Sequence, residues 1–164
     1  MSTADMFEES GAVFSPCKQY RYRLWRKWGG EPPAVFVMLN PSTADEVVND
    51  PTVERCERRA RMMGYGGLRV ANIFAFRSTD PAQLYDHPDP VGPENNAAIL
   101  ESVRDAGIVI CAWGGHGNLD GRGAQVLEML RQAGVVPHYL ELNKDNTPKH
   151  PLYVGYEKQP TPWN

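Results

Sequence analysis

The stretch Ala34-Val35-Phe36-Val37-Met38-Leu39-Asn40-Pro41-Ser42-Thr43-Ala44-Asp45 decides the fold. Its first half, residues 34–39, is a short apolar run rich in Val and Phe, which is typical of a β-strand covered on both faces. Its second half is polar and begins at Asn40-Pro41, where the chain must turn. Asp50-Pro51 then indicates a helix start, with Asp at the N-cap and Pro in the first turn. Strand, polar loop and helix in this order predict the first unit of a parallel α/β sheet.

The same alternation continues along the rest of the chain. Strands are predicted over residues 20–28, 34–39, 68–76, 108–113 and 135–142, and helices over residues 51–63, 93–106 and 122–133. The first strand alternates apolar with basic residues, so we expect it to be half-buried with one basic face. Right-handed crossovers place helices on both faces of such a sheet. We therefore predict an α/β fold, a three-layer sandwich with a central, mostly parallel four-stranded sheet and an extra N-terminal strand.

The composition indicates one globular domain without a strongly charged surface. The 164 residues carry 17 basic and 20 acidic side chains, a net charge of −3, which is not the overall charge of a typical nucleic-acid-binding protein. We assign the domain to residues 14–155, with terminal extensions at 1–13 and 156–164. No run approaches the roughly 20 apolar residues of a membrane span, and no signal-peptide core is present, so we expect a cytoplasmic protein without a membrane partner. Three well-separated cysteines suit reduced thiols in that compartment.

Four loops follow the predicted parallel strands at their carboxyl ends, where open α/β sheets bind ligands. The loops span residues 40–50, 77–81, 114–117 and 143–153. They hold most of the candidate functional side chains, namely Asn40, Ser42, Asp45, Arg77, Asp80, His116, Asn143, Lys144 and His150. Because the topology brings these loops together, we expect one ligand-binding cleft at this edge of the sheet.

Three polar residues each allow two interpretations. Asn40 can orient a water molecule or a base edge, since its amide both donates and accepts, or it can form an Asx turn. Asp45 is either a general base or an exposed loop carboxylate, and the second case is the more common. Asn72 interrupts an apolar strand, so its amide must be hydrogen-bonded, either to tether a neighbouring loop or to bind a ligand.

Aromatic and glycine-rich positions give weaker signals. Phe74 is most simply a core residue, with base stacking as the alternative. The segment Trp113-Gly114-Gly115-His116-Gly117 lacks the Gly-Lys-Ser/Thr ending of a phosphate-binding loop, so it is weak evidence for a nucleoside triphosphate. Its glycines can instead permit positive φ before the third helix. His116 is a secondary candidate, since it lies in a loop at the ligand end.

His150 lies between Lys149 and Pro151 in a locally stiff segment. Stiffness suits a catalytic imidazole that must be held in place, whereas the alternative is an ordinary surface histidine. The basic residues of the first helix, among them Arg55, Arg58 and Arg59, could contact phosphates, although such charges usually form a solvated helix face.

Several short motifs together resemble a single family. They are Tyr20-Arg21-Tyr22, Met38-Leu39-Asn40-Pro41-Ser42-Thr43-Ala44-Asp45, Asp50-Pro51-Thr52, Asn72-Ile73-Phe74-Ala75, Ala112-Trp113-Gly114 and His150-Pro151-Leu152-Tyr153. This set is similar to the uncharacterised family called domain of unknown function 1643, from about Phe14 to Tyr153. The resemblance implies no particular activity, because the family has none firmly assigned.

A second, remote resemblance is to the uracil-DNA glycosylase superfamily. Those enzymes have a four-stranded parallel sheet between helices, a Gly-x-Asn-Pro or Gly-x-Asp-Pro motif after the first strand, an Asn that ends an apolar strand, a Trp-Gly after the third strand and a late His-Pro-Ser-Pro-Leu motif. In this chain Asn40-Pro41, Asn72, Trp113-Gly114 and His150-Pro151-Leu152 occur in the same order. The first motif lacks the preceding Gly and the last lacks Ser-Pro, which counts against wedging into a duplex and against activity on uracil.

The resemblance implies a uracil-DNA glycosylase-like sheet and assigns roles. Asn40 would position the attacking water, Asn72 would bind the base, His150 would stabilise charge on the departing base, and Leu152 would act as a wedge. We expect a cleft that binds a nucleobase, nucleoside or nucleic acid and, as an enzyme, hydrolyses an N-glycosidic bond without a cofactor or metal. The catalytic candidates are Asn40, Asp45 and His150, and the ligand-binding candidates are Ser42, Asn72, Phe74, Arg77, Trp113, His116, Lys144, Leu152 and Tyr153.

Two other functions remain open at this point. The first is a nucleotide or nucleic-acid binding module without catalysis. The second is a metal-dependent hydrolase that uses Asp45, Asp80, His116 and His150, although their order matches no recognised ligand spacing.

Overall fold

The computed structural model describes residues 9–164. Its strands are β1 (Glu9–Phe14), β2 (Arg21–Lys27), β3 (Pro33–Met38), β4 (Gly67–Asn72), β5 (Ile108–Ala112), β6 (Pro137–Tyr139) and β7 (Thr161–Pro162). Its helices are α1 (Pro51–Met62), α2 (Gln83–Asp86), α3 (Asn95–Ser102) and α4 (Arg122–Gln132), with 3-10 segments at Gly115–Gly121 and Pro151–Tyr153. The strands form a mixed sheet in the order β1-β2-β4-β3-β5-β6-β7.

The predicted α/β class is confirmed, whereas the predicted four-stranded sheet with one extra strand is wrong. The centre β4-β3-β5-β6 is parallel throughout. Antiparallel strands extend it at both edges, β2 and β1 on one side and β7 on the other. The additional edge strands are weak in sequence, since β1 begins with polar residues and β7 has only two residues.

Alternate residues of β3 pack on opposite faces of the sheet, as the period of a strand requires. On one face, Ala34, Phe36 and Met38 pack with the apolar side of α1, formed by Val53, Cys56 and Ala60. On the other, Val35 and Val37 share a cluster with residues of α3 and α4, formed by Ile99, Val126 and Leu130. The molecule therefore has three layers, and burial on both faces explains the continuous apolar run in β3.

The predicted start of α1 is confirmed. The Asp50 side chain accepts a hydrogen bond from the Val53 amide at 2.8 Å, and Pro51 occupies the first turn. The helix ends at Met62, one residue before the predicted end, and Gly64 follows with a φ of +85°. Only glycine adopts this conformation without strain, which fixes the stop.

Other boundaries differ from the prediction. The predicted strand over residues 68–76 ends at Asn72, so Asn72 closes β4 and does not lie in mid-strand. Beyond it, the Ile73 and Phe74 amides donate to the Met38 and Leu39 carbonyls at 2.8 and 2.9 Å, which keeps this loop against the end of β3. The strand predicted over residues 135–142 is shorter in the structure, where β6 spans only Pro137–Tyr139, and the four-residue helix α2 has no clear sequence signal.

The predictions of a basic face on β2 and of a solvated arginine face on α1 are wrong in part. Arg21 and Arg59 are only 2% and 1% exposed, and Arg26 is also buried. Each donates to backbone carbonyls of neighbouring loops. Arg26, for example, donates to the Asp45 carbonyl oxygen at 2.7 Å. Buried guanidinium groups are tolerated when their donors are used in this way, and here they fasten loops to regular elements.

The predicted terminal extensions contribute to the same sheet. Residues 1–8 of the N-terminal extension lie outside the described residues, but β1 occupies residues 9–14 and β7 lies within 156–164. The division into a domain and two extensions stays a prediction. Within residues 9–164, no helix is both long and apolar enough to cross a membrane.

Candidate functional site

A cleft of about 540 Å³ opens at the carboxyl ends of the parallel strands. All four predicted loops contribute to it. Eight of the candidate residues line its wall, namely Asn40, Ser42, Trp113, His116, Asn143, His150, Leu152 and Tyr153. The loops thus converge as the topology predicts.

A second cavity of about 450 Å³ lies at the opposite end of the sheet. Arg23, Trp25 and Arg69 line it together with Glu31 and Asp105. Arg69 already donates to the Ser102 and Arg104 carbonyls. Because this cavity lies at the amino ends of the strands, we consider the carboxyl-end cleft the better candidate.

Asn40 has a fixed amide orientation at the edge of the cleft. Its Nδ2 lies 3.0 Å from the Ser78 carbonyl oxygen and 3.3 Å from those of Pro41 and Phe76. Carbonyl oxygens only accept, so this group must be the NH₂. No hydrogen bond within the described part of the chain uses Asn40 Oδ1, which leaves an acceptor at the cleft wall. The Nδ2 group thus tethers the loop that follows β4, and the described residues show no bond to Oδ1 of the kind that the alternative, an Asx turn, requires.

His150 has a similarly defined imidazole. Its Nδ1 accepts a hydrogen bond from the Leu152 amide at 3.2 Å, so in the neutral ring the proton is on Nε2. Burial lowers the pKa of His150 below its usual value, while Asp50 opposes that effect. The imidazole is therefore neutral at pH 7, with a donor at Nε2.

A small side cavity of about 30 Å³ adjoins the cleft and has room for about one water molecule. Asn40, Asn72 and His150 all line it, and so do Arg21 and Asp50. The three residues that the glycosylase resemblance brings together thus share one space.

Arg21 fixes the amide of Asn72. Its guanidinium donates to Asn72 Oδ1 at 3.3 Å and to the Ala44 carbonyl at 3.1 Å, and its Nε has no hydrogen-bond partner among residues 9–164. Burial lowers the pKa of Arg21 to about 10, so it keeps its charge at neutral pH. Since arginine only donates, Asn72 Oδ1 must be the contacting atom, and the Nδ2 of Asn72 remains as a donor.

Asp50 connects the helix, the loop and the cavity. Its Oδ1 caps α1, and its Oδ2 accepts from the Ala44 amide at 3.3 Å. Burial lowers the pKa values of Arg21 and His150, whereas the negative charge of Asp50 raises both. Asp50 was recognised in the sequence as a helix cap only, because its contacts with the loop depend on tertiary structure.

Two His–Tyr pairs flank the cleft. The His116 Nδ1 and the Tyr85 hydroxyl are 3.0 Å apart, and their rings meet edge to face. The His150 and Tyr153 ring centroids lie 5.9 Å apart. Tyr153 is 77% exposed and its neighbour Leu152 is 39% exposed, so both can contact a ligand from outside.

Trp113 forms a buried part of the wall and packs tightly. A Cβ added to Gly117 would lie 2.1 Å from Trp113 Cδ1, and one added to Gly123 would lie 2.7 Å from its Nε1. The indole also contacts Trp163, with ring centroids 5.9 Å apart. The glycines of this segment thus make room for the indole, in addition to the positive φ of +74° at Gly114.

Five candidates line neither the cleft nor its side cavity, namely Asp45, Phe74, Arg77, Asp80 and Lys144. Asp45 Oδ1 accepts from the Val47 and Val48 amides, and these bonds lower the pKa of its carboxyl. Phe74 is buried in the core, and Lys144 is exposed. Arg77 donates to the Lys18 carbonyl and stacks on Phe14. Asp45, Phe74 and Arg77 thus make structural contacts outside the cleft.

Several residues of the site were not singled out as candidates in the sequence. Thr52, Ser78 and Thr79 line the cleft, as does Lys149, which pairs with Glu141. Thr52 is the second residue of the predicted helix, two positions after the Asp50 N-cap, and this position at the start of the helix could have identified it as a site residue. Arg21 was noted as a residue of an alternating strand and of the motif Tyr20-Arg21-Tyr22, but not as a residue of the site.

The four residues of the metal-dependent alternative do not form a metal site. Among residues 9–164, no group of three or more His, Cys, Asp or Glu side chains is arranged to hold a metal ion. Asp45 and Asp80 instead accept hydrogen bonds from backbone amides of their own loops.

Comparison with known proteins identifies the family. Neither the curated proteins nor the solved structures gave a significant match. Residues 21–152 match the family described as "Protein of unknown function (DUF1643)", which covers most of the chain and includes every residue of the cleft except Tyr153. The chain therefore belongs to the DUF1643 family.

Proposed function

We propose that the cleft binds a nucleobase, free or as part of a nucleoside or nucleic acid, and hydrolyses its N-glycosidic bond. The observation that carries the proposal is the pairing of two fixed groups around one space. Asn40 offers an acceptor oxygen, and neutral His150 offers an Nε2–H donor. These are the two groups that such a hydrolysis requires on opposite sides of the bond that breaks.

In the proposed reaction, the Oδ1 of Asn40 accepts a hydrogen bond from water and directs its oxygen to the anomeric carbon. The bond between this carbon and the base nitrogen breaks, and its electron pair leaves with the base. His150 donates a hydrogen bond to the negative charge that develops there, which is the main stabilising interaction. The water oxygen forms the new bond to carbon, and the proton that it loses is taken up by the departing base, so the products are the neutral base and a sugar with a hydroxyl group at that carbon. Asp45 has no role in this scheme, because its carboxylate is held by its own loop.

The walls of the cleft fit a planar ring. The indole of Trp113 and the two His–Tyr pairs offer aromatic surfaces around a volume of about 540 Å³, which is in the range of small-molecule sites. Exposed Leu152 and Tyr153 can contact the rest of a nucleoside or strand. Base stacking on aromatic side chains is a common, sequence-tolerant mode of binding.

The remote resemblance to uracil-DNA glycosylases supports the same proposal. Four motifs share their order with that superfamily, and residues of all four line the cleft or its side cavity. The parallel centre of the sheet lies between helices, as in those enzymes, and we propose a related fold on this basis. The missing Gly and Ser-Pro direct the proposal toward substrates other than uracil in duplex DNA.

A base-release assay tests the proposal. Single- and double-stranded DNA carrying a panel of modified bases is incubated with the protein and then treated with alkali, which cleaves abasic sites. We expect cleavage with at least one substrate, and a loss of about 100-fold or more in His150→Ala, since removing a donor to a developing anion has this scale. Lys27→Ala, which changes an exposed residue at the opposite end of the sheet, should keep full activity. Absence of cleavage on every substrate would refute the catalytic part.

Binding without catalysis is the second candidate, and one observation favours it. The side cavity next to Asn72 holds only about one water molecule, and Arg21 occupies Asn72 Oδ1. A base could then bind in the larger cleft without entering the position that a glycosylase uses. Affinity for DNA at several salt concentrations distinguishes the partners, because binding to a strand weakens steeply with salt whereas binding of a nucleoside does not.

A further inference from the structure

The segment that carries His150 has little regular secondary structure of its own. We call residues 150–158 the C-terminal segment; it contains one short 3-10 turn, Pro151–Tyr153, and no β-ladder. Its internal backbone bonds include Tyr153 to His150 at 3.0 Å and Val154 to Pro151 at 3.3 Å. Such weak local structure needs external contacts to hold an imidazole at one position.

Two arginines of α1 supply those contacts. Arg55 donates to the Pro151 carbonyl at 2.9 Å and to the Val154 carbonyl at 2.6 Å. Arg59 donates to the Val154 and Gly155 carbonyls, both at 3.0 Å, and to that of Lys158 at 3.1 Å. Five hydrogen bonds from two charged groups thus reach four carbonyls of the segment, and those of Pro151 and Gly155 also accept a local backbone bond.

Packing adds to these bonds. The Tyr156 ring lies under both guanidinium groups, with the Arg55 carbon 4.2 Å and the Arg59 carbon 5.3 Å from the ring centroid. Arg59 is almost fully buried, and Val154 belongs to the core on the α1 face of the sheet. Arg58 also lies near this ring, at 5.4 Å, but it is exposed and has no hydrogen bond to the segment.

We propose that Arg55 and Arg59 are positioning residues, which hold the C-terminal segment so that the His150 imidazole stays at the cleft wall. This inference rests on the proposed function for its importance, but the placement of His150 can be measured without any ligand. It also replaces the interpretation of these side chains as phosphate contacts, since Arg55 Nε and Nη2 and both Nη groups of Arg59 donate within the protein.

Other charges near His150 must be considered in the test. Asp50 favours its protonated form, while Arg21 lines the same side cavity and Lys149 is its neighbour, paired with Glu141. Removing a positive charge from α1 would itself raise the pKa of His150. The informative variants are therefore Arg55→Lys and Arg59→Lys, because each keeps the charge and loses the two-pronged geometry of the guanidinium.

The experiment is an NMR titration of the histidine rings, with His150 assigned by its absence in His150→Gln. In Arg55→Lys and Arg59→Lys we expect the pKa of His150 to rise toward the ordinary 6.5, because the ring becomes more hydrated, and we expect faster hydrogen exchange at the Tyr153 and Val154 amides. The matched control is Arg58→Lys, which should change neither. The other three histidines serve as internal references.

The same measurements can also overturn the positioning role of Arg55 and Arg59. An unchanged His150 titration and unchanged amide exchange in both lysine variants would overturn the positioning role. If either variant fails to fold, Tyr156→Leu, which removes only the ring under the guanidinium groups, carries the same expectations. A shift of His150 together with no base release from any substrate would leave the positioning role standing and refute the proposed hydrolysis alone.

Discussion

Asp50→Ala is the substitution whose effect follows most fully from the structure. Asp50 is 8% exposed, and its two carboxylate oxygens accept hydrogen bonds from the Val53 and Ala44 amides at 2.8 and 3.3 Å. The first bond caps α1, and the second closes the loop that carries Asn40. One side chain thus couples the stability of the helix to the shape of the cleft.

The magnitude can be estimated from these two bonds. Loss of an Asp N-cap costs about 1 kcal/mol, and leaving a buried amide without its acceptor costs about 1 kcal/mol or slightly more. We therefore expect the free energy of unfolding to fall by about 2 kcal/mol. Without the carboxylate, the pKa values of Arg21 and His150 should both fall further, since Asp50 raises each of them.

Urea denaturation measures the effect. An unchanged m-value, the slope of the free energy of unfolding against urea concentration, would confirm that only stability has changed. Asp50→Ser separates the two bonds, because Ser still caps a helix but cannot reach both amides, so it should lose about half as much. Asp80→Ala, an exposed loop carboxylate that accepts from the Ala82 amide, should stay within about 0.5 kcal/mol of the original protein. An Asp50→Ala variant as stable as Asp80→Ala would refute the reasoning.

Three further predictions concern packing, thiols and pH. Gly117→Ala places a Cβ 2.1 Å from the Trp113 ring, so it should destabilise the fold by about 1–3 kcal/mol and alter tryptophan fluorescence, whereas Gly30→Ala, with nothing within 4 Å, should do neither. A thiol reagent should label Cys17 quickly in the folded protein, because this thiol is exposed with a lowered pKa, and label the two buried cysteines only in denaturant; three fast labels would contradict this. Since the folded-state pKa of His150 lies below 6.5, the unfolded chain takes up this proton first as pH falls, so stability should decrease from about pH 6.5 downward until the folded state also protonates. His150→Gln should reduce that decrease, and an identical pH dependence would argue against a depressed pKa.

Local sequence patterns predicted the parts of the fold that depend on local chemistry. The N-cap at Asp50 and the apolar run of β3 have direct signals, and both occur as expected. The convergence of four loops followed from the alternation of strands and helices, because parallel strands place their carboxyl ends at one edge. The edge strands β1 and β7 had no such signal, since pairing at an edge uses backbone groups more than side chains.

The buried arginines mark the limit of prediction from one sequence. A charged residue in an alternating strand or on a helix is usually solvated. Arg21 and Arg59 are buried because loops distant in sequence supply carbonyl or amide oxygens to their donors. Likewise, the amide orientation of Asn40 depends on the carbonyls of Phe76 and Ser78, which no local pattern reveals.

The most direct test of the central claim is a titration of the ¹⁵N-labelled protein with a panel of free nucleobases and nucleosides, followed by amide chemical shifts. We predict saturable shifts at Leu39, Gly114 and Leu152, which line the carboxyl-end cleft, and none at Gly67, which lines the cavity at the opposite end. Absence of shifts with every compound, or shifts confined to the opposite cavity, would contradict a nucleobase-binding cleft.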